Sequence, residues 1–192
     1  MNKIILIGGG GHCKSAIDVI EQEDRFEIAG IVDKSESIGS KVLGYSVIGD
    51  DSDLNNLAKK YKFALITVGH IKSPSLRIKL YDLAIKANFS LPSVVSPNAY
   101  VSKNSKIGNG TIVMHGVIIN ANTSIGYNCI INSKTLIEHD CSISNHCHIS
   151  TNVTINGGVE IGSKCFIGSN VTTKDNIKIR ENSFIKAGSL VK

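Results

Sequence analysis

From Val101 onward every sixth residue but one is a branched apolar one, and that fixed period leaves few folds open. Val101 is followed by Ile107, Val113, Ile119, Ile125, Ile131, Ile137, Ile143, Ile149, Ile155, Ile161, Ile167, Thr173, Ile179, Ile185 and Val191, and fifteen of these sixteen positions are Ile or Val. An α-helix turns every 3.6 residues and smears a six-residue period around its surface, while a plain strand alternates by two. A strict hexad marks a parallel β-helix of hexapeptide coils.

A second column supports this. Four residues after the repeat positions stand Ser105, Thr111, Val117, Thr123, Cys129, Thr135, Cys141, Cys147, Val153, Val159, Cys165, Val171, Ile177, Ser183 and Ser189, all small or β-branched. Such residues fit a narrow interior between coils stacked about 4.8 Å apart. Cys129, Cys147 and Cys165 lie three hexads apart, so they are expected to stack as small buried groups. Five cysteines in all, with no mark of secretion, argue against a disulfide framework. Thr173 reads as a break in the repeat.

Residues 1–90 follow a different grammar, that of a Rossmann-like α/β domain, with the β-helix domain assigned to 91–192. Lys3 to Ile7, Phe26 to Val32 and Ala64 to Val68 read as strands. Cys13, Ala16, Ile17 and Ile20 recur at helical spacing. Leu54, Leu57, Ala58 and Tyr61 mark a helix capped by Ser52 or Asp53. Ser73-Pro74 opens another, with Leu76, Leu80, Leu83, Ala84 and Ala87 on one face. Strands alternating with helices predict a parallel sheet.

The charge excess of +5 is spread along the chain without stacking aromatics, which points away from nucleic acid. No apolar run is long enough to span a membrane. The N-terminal stretch lacks a small-residue cleavage site, and a cytoplasmic protein is expected.

Gly8-Gly9-Gly10-Gly11-His12 joins a strand to a helix, where backbone N–H groups favour a phosphate. Cys13 stands where a dinucleotide fingerprint wants its third glycine. Asp33 is in the region that meets a ribose hydroxyl. About ninety residues supply roughly one mononucleotide half, so a nucleotide-sugar fits better than NAD. Later, Glu138-His139-Asp140 sets an imidazole between two carboxylates, the arrangement of a general base with an acid that fixes its tautomer. His146 and His148 lie close by in sequence, and three histidines also suit zinc. No metal is expected, because a zinc hydrolase gives the first domain no purpose.

The Ile-Gly hexads at Ile107, Ile125, Ile161 and Ile167, together with Gly8 to His12, Asp33 and Ile137 to Cys141, resemble a bacterial group of left-handed β-helix acetyltransferases. The group comprises sialic acid O-acetyltransferases and nucleotide-amino-sugar N-acetyltransferases of the bacillosamine type, enzymes of surface-glycan biosynthesis. The resemblance implies acetyl-CoA as co-substrate, a homotrimer with active sites between subunits, His139 as general base and Asp140 as its supporting acid where relatives have Glu. It implies substrate contacts at Gly10, Gly11, His12, Asp33, Lys34, Gly69 and Asn132. For acetyl-CoA it implies His148, Gly157, Ser169 and Ala187. Relatives carry a proline-containing loop near residues 171–176 and continue beyond the position of Lys192. Direct transfer to the amine of a nucleotide-linked amino sugar is the expected reaction, with sialic acid O-acetylation the near alternative. A metal-dependent β-helix hydrolase and a non-catalytic β-helix are more remote.

Overall fold

A computed structural model describes residues 1–192. The chain divides into two compact units, one of residues 1–69 and 75–92, the other of residues 70–74 and 93–192.

The first unit is built on a five-stranded sheet. Its strands are β1 (Asn2–Ile7), β2 (Phe26–Val32), β3 (Lys41–Val42), β4 (Tyr45–Gly49) and β5 (Phe63–Ile66), in the order β3-β4-β2-β1-β5. All neighbours run parallel except β3, which forms a hairpin with β4. Ile4 to Ile7 are buried on both faces of the sheet, as their unbroken apolar run demands. The helices are α1 (Gly11–Glu23), α2 (Leu54–Leu57) and α3 (Ser75–Lys86). Strand order reverses at β1, with β2 on one side and β5 on the other, so the glycine-rich loop leaves β1 at a switch point where α/β sheets bind ligands.

Local details depart from the sequence expectations. Asp53 stands at the N-cap position of α2, as expected, but makes no side-chain capping bond there; the capping bonds come from Asp50, in a reciprocal box with Asp53 around the 3-10 turn 51–53 that leads into α2. The β3–β4 hairpin was not foreseen. On α3 the buried positions are Arg77, Leu80, Tyr81 and Ala84, while Leu76 is exposed. The register shifts because Arg77 has work for its charge: its guanidinium donates to the carbonyls of Ile66 and Val68, at 2.7 and 2.8 Å, just past the end of β5.

The second unit is a left-handed β-helix of two-residue strands on three parallel faces. The first face carries Val94–Val95 through Phe184–Ile185, the second Tyr100–Val101 through Leu190–Val191, and the third Lys106–Ile107 through Lys178–Ile179. Strands eighteen residues apart pair in register, as Ile119 with Ile137 and Ile137 with Ile155. The hexad residues point inward, and from Val113 to Ile179 every one is buried. Each fully buried Ile contributes roughly 1.5–3 kcal/mol, so the stacked column supplies most of the driving force. Cys129, Cys147 and Cys165 stack inside as expected, and all the cysteines are free and buried.

Every sixth residue from Gly110 to Gly188 turns a corner in the left-handed conformation, with φ between 54° and 72°. Glycine and asparagine dominate this column because they adopt it most readily. Thr173 does not break the coil. It is buried, its hydroxyl accepts from the Asn156 backbone N–H at 2.9 Å, and Thr172–Thr173 is an ordinary strand of the second face.

Candidate active site

His139 stands at the corner between the second and third faces, immediately before one of the left-handed turns. Asp140 occupies that turn with φ 61°, a conformation aspartate tolerates better than longer side chains do. The turn brings its carboxylate back to the preceding ring, and Asp140 Oδ2 meets His139 Nδ1 at 2.7 Å. One coil away, the Asn122 side-chain amide donates to the other oxygen, Asp140 Oδ1, at 2.7 Å. The carboxylate is thus held from both sides. Glu138 faces elsewhere and accepts from the Asn120 amide at 2.8 Å. The supporting acid in contact with the imidazole is therefore Asp140.

Electrostatics follow from these contacts. The hydrogen bond to Asp140 raises the His139 pKa above its ordinary value, with smaller contributions from the charges of Asp140, Glu138 and Asp175. Bonds from Asn122 and then His139 lower that of Asp140. With Nδ1 donating to the carboxylate, Nε2 is left as the basic atom. The imidazole is exposed, so this nitrogen is accessible to an incoming acceptor.

Gly157 lies one coil beyond His139 and explains how the ring is seated. A Cβ there would stand 2.9 Å from Cε1 and 3.0 Å from Nε2 of His139. The imidazole rests over bare backbone, and any side chain at position 157 would require the ring to shift.

Asn132 and His148 belong to a different part of the coil. Asn132 is at the corner between the first and second faces, and His148 lies on the first face. His148 is buried; its Nδ1 donates to the His70 carbonyl at 2.6 Å, which leaves Nε2 to accept from Asn132 Nδ2 at 3.4 Å. Its ring packs edge-on against Phe166, with centroids 5.3 Å apart. Ser169 Oγ is 2.9 Å from Ser150 Oγ at the corner next to the first face, and Ala187 is exposed one coil on. Asn132, His148, Ser169 and Ala187 thus run along one edge, and His139 sits on another. His146 is buried at a left-handed corner position, with Nδ1 3.0 Å from Asn128 Nδ2 and its ring edge-on to Tyr127. His139, His146 and His148 point from separate places on the coil and do not converge on one point.

In the first unit Gly10, Gly11, His12, Asp33, Lys34 and Gly69 come together around a cavity of about 500 Å³. The loop is shaped by close approaches. A side chain at Gly8, where φ is 110°, would strike Val68, and one at Gly9 would strike the Asp33 carboxylate. Gly10 and Gly11 face open space, and Gly10 caps α1 without any side-chain bond. The backbone of Gly10, Gly11 and His12 at the start of α1 therefore lines the cavity without a screening side chain at the two glycines. Two residues that sequence reasoning missed hold its rim. Thr67, buried, donates its hydroxyl to the Gly8 carbonyl at 2.6 Å, and Arg77 pins the carbonyls of Ile66 and Val68. Neither carries a motif; only the solitary arginine on an otherwise apolar helix face hinted at its role.

Comparison with known proteins adds an independent line. Residues 3–83 match the family model of the PglD N-terminal domain, and residues 140–175 match that of the bacterial transferase hexapeptide, six repeats. No protein with a curated function matches by sequence. Among solved structures, a mutant of perosamine N-acetyltransferase from Caulobacter crescentus, in complex with CoA and GDP-perosamine, is 32% identical. The match covers 100% of this chain and 89% of that one, with a TM-score of 0.93. The acetyltransferase domain of PglB from Neisseria gonorrhoeae is 26% identical over 100% of this chain and 92% of that one, with a TM-score of 0.91. The same domain in complex with acetyl coenzyme A superposes with a TM-score of 0.88, at 26% identity over 98% and 90% of the two chains.

Proposed function

Because this chain belongs to the hexapeptide-repeat sugar N-acetyltransferases with a PglD-type N-terminal domain, we propose that it transfers the acetyl group of acetyl-CoA to the amine of a nucleotide-linked amino sugar. The observation that carries the chemistry is the exposed His139 imidazole, bonded to Asp140 at 2.7 Å and seated over Gly157.

The reaction runs by direct transfer. His139 Nε2 takes a proton from the acceptor nitrogen as its lone pair attacks the thioester carbonyl. Backbone N–H groups stabilise the oxyanion that forms. Collapse of the intermediate breaks the C–S bond, and the departing CoA sulfur recovers the proton from the imidazolium. The Asp140 carboxylate stabilises that imidazolium while it exists. Cys141 is buried in the interior column, with burial raising its thiol pKa, which suits a packing role and not a covalent one.

The first unit binds the sugar nucleotide, its diphosphate against the backbone of Gly10 and Gly11 at the N-terminus of α1. His12, Asp33, Lys34 and Gly69 complete that site. Asn132 meets the acceptor, and His148, Gly157, Ser169 and Ala187 meet acetyl-CoA. No helix is long and apolar enough to cross a membrane; the proposed place of work is the cytoplasm.

The working form is a homotrimer, with His139 of one subunit facing the Asn132 and His148 edge of the next. Two observations favour this. His139 and those residues lie on different edges of one coil, so a single β-helix does not bring them to one substrate. The outward column of the second face runs Tyr100, Ile118, Leu136, Thr154, Thr172 and Leu190, with Tyr100, Ile118 and Leu190 at 60%, 42% and 58% exposure, whereas the third presents Lys106, Ser124, Ser142, Glu160 and Lys178. The apolar patch of Tyr100, Ile118 and Leu136 on the early coils, beside a polar face, favours an association surface there.

Incubation with acetyl-CoA and a panel of acceptors, followed by mass spectrometry, tests the reading. An acetamide on a nucleotide-linked amino sugar is the expected product. An acetyl ester on free sialic acid, with the amino sugar untouched, overturns the choice of acceptor.

A further inference from the structure

If both substrates carry a nucleotide, the protein needs two places for phosphate chemistry. The glycine-rich cavity of the first unit is one. A second, smaller cavity of about 150 Å³ lies wholly within the β-helix unit, between residues 70–74 and the last coils. Its wall combines Lys72 and Lys164 with the polar side chains of Asn182 and Ser183 and the rings of Phe166 and Phe184, and no carboxylate lines it. Cations and hydrogen-bonding groups without an opposing acid make a pocket for an anion. Whole ligands of drug size occupy roughly 300–1,000 Å³, so this one takes a phosphate group and leaves any attached nucleoside outside.

What stands beside it suits a nucleoside. Phe166 and Phe184 stack with centroids 5.2 Å apart and planes inclined by only 18°. Phe166 is buried, but Phe184 is 49% exposed and offers an open ring face at the end of the stack. A purine completes such a stack, since every base has a π face to set on an aromatic one. The column His148, Phe166, Phe184 climbs the first face one coil at a time. At about 4.8 Å per coil, Phe184 is roughly 10 Å from His148. Ser169 and Ala187 follow the two phenylalanines by three residues each, at the adjoining corner. The cavity therefore continues the line of residues assigned to acetyl-CoA, at its far end from the thioester.

Resting on the acetyl-CoA reading above, we propose that Lys72 and Lys164 hold the 3′-phosphate of CoA and that the open face of Phe184 stacks its adenine. The residues thereby distinguish CoA from donors that lack the phosphate.

The test compares acetyl-CoA with acetyl-dephospho-CoA, which lacks that phosphate, in steady-state kinetics on the full chain. Native enzyme is expected to show a KM for the dephospho donor about tenfold higher, the scale of a charge-assisted phosphate contact. In the Lys72→Ala/Lys164→Ala variant the two donors should become equivalent, with KM for the sugar nucleotide unmoved. Phe184→Leu should raise KM for both donors about five- to tenfold. Both lysines are on the surface, so folding is not at stake for that variant, and a thermal melt checks the phenylalanine. A double-lysine variant that keeps the tenfold preference overturns the proposal, as does a native enzyme indifferent to the phosphate. A shift confined to KM for the sugar nucleotide overturns it too, by giving the cavity to the other substrate. Native protein that makes no product from acetyl-CoA refutes the transferase reading itself, a different result from any of these.

Discussion

Gly157→Ala is the substitution whose consequence follows most directly from the geometry. Gly157 does not adopt a left-handed φ, so alanine meets no backbone strain there. Its methyl carbon would stand 2.9 and 3.0 Å from His139 Cε1 and Nε2. Ordinary carbon contacts begin at about 3.5 Å, so one partner must give by roughly half an ångström or more. The coil backbone is locked in its ladder, with the Gly158 N–H on the His139 carbonyl at 3.0 Å. The exposed ring is the softer partner and swings outward. That motion either stretches the bond to Asp140 or carries Nε2 off its line to the acceptor. A misplacement of about 1 Å costs on the order of 10²-fold in rate, and half that distance about tenfold. We therefore expect kcat to fall between about ten- and a hundredfold, with melting temperature unchanged within error. The assay follows CoA release with a thiol reagent at saturating acetyl-CoA, so that any loss of donor affinity is separated from loss of turnover. A Gly157→Ala enzyme with kcat within threefold of native, at normal stability, refutes the claim that the glycine seats the base.

Other consequences are equally open to measurement. The hydrogen bond to Asp140 raises the His139 pKa, and the base works only unprotonated, so kcat/KM should rise with pH through an apparent pKa above histidine's ordinary 6.5. Asp140→Asn should move that limb to lower pH while cutting activity above it by about tenfold or more; an unmoved limb contradicts the pairing. Arg77→Met strips one buried and one partly buried carbonyl of their donor and should destabilise the first unit by about 1–3 kcal/mol in a denaturant or thermal melt. A loss under about 0.5 kcal/mol would mean that other groups satisfy Ile66 and Val68. Light scattering should give the mass of three subunits, and Ile118→Glu on the second face should break the assembly; a native mass of one subunit removes the shared site.

Much of this protein was legible in its sequence because a hexapeptide coil repeats one environment many times. Each Ile from Ile119 to Ile167 meets the same interior, so the pattern overwhelms any local exception, and even Thr173 fits once Asn156 binds its hydroxyl. The corner column from Gly110 to Gly188, a third period-six run rich in glycine and asparagine, went unread in the sequence, and only the structure shows His146 to be one of its turn residues. The first unit was harder. Its strands announced themselves by apolar runs, but the β3–β4 hairpin is short, and the caps depended on which acid faced inward. Arg77 sits where the apolar pattern of α3 argued for Leu76, because the carbonyls of Ile66 at the end of β5 and of Val68 beyond it, invisible to a helical periodicity, select a donor. At the site, residue types suggested a base and an acid. Which acid, and why Gly157 must lack a side chain, depended on coils stacked eighteen residues apart.

The account rests on one imidazole, and replacing it is the most direct test. With a nucleotide-linked amino sugar as acceptor, His139→Ala should fold normally and bind acetyl-CoA as native enzyme does, yet turn over about 10²–10⁴-fold more slowly. A well-folded His139→Ala enzyme acetylating that sugar within threefold of the native rate would contradict it.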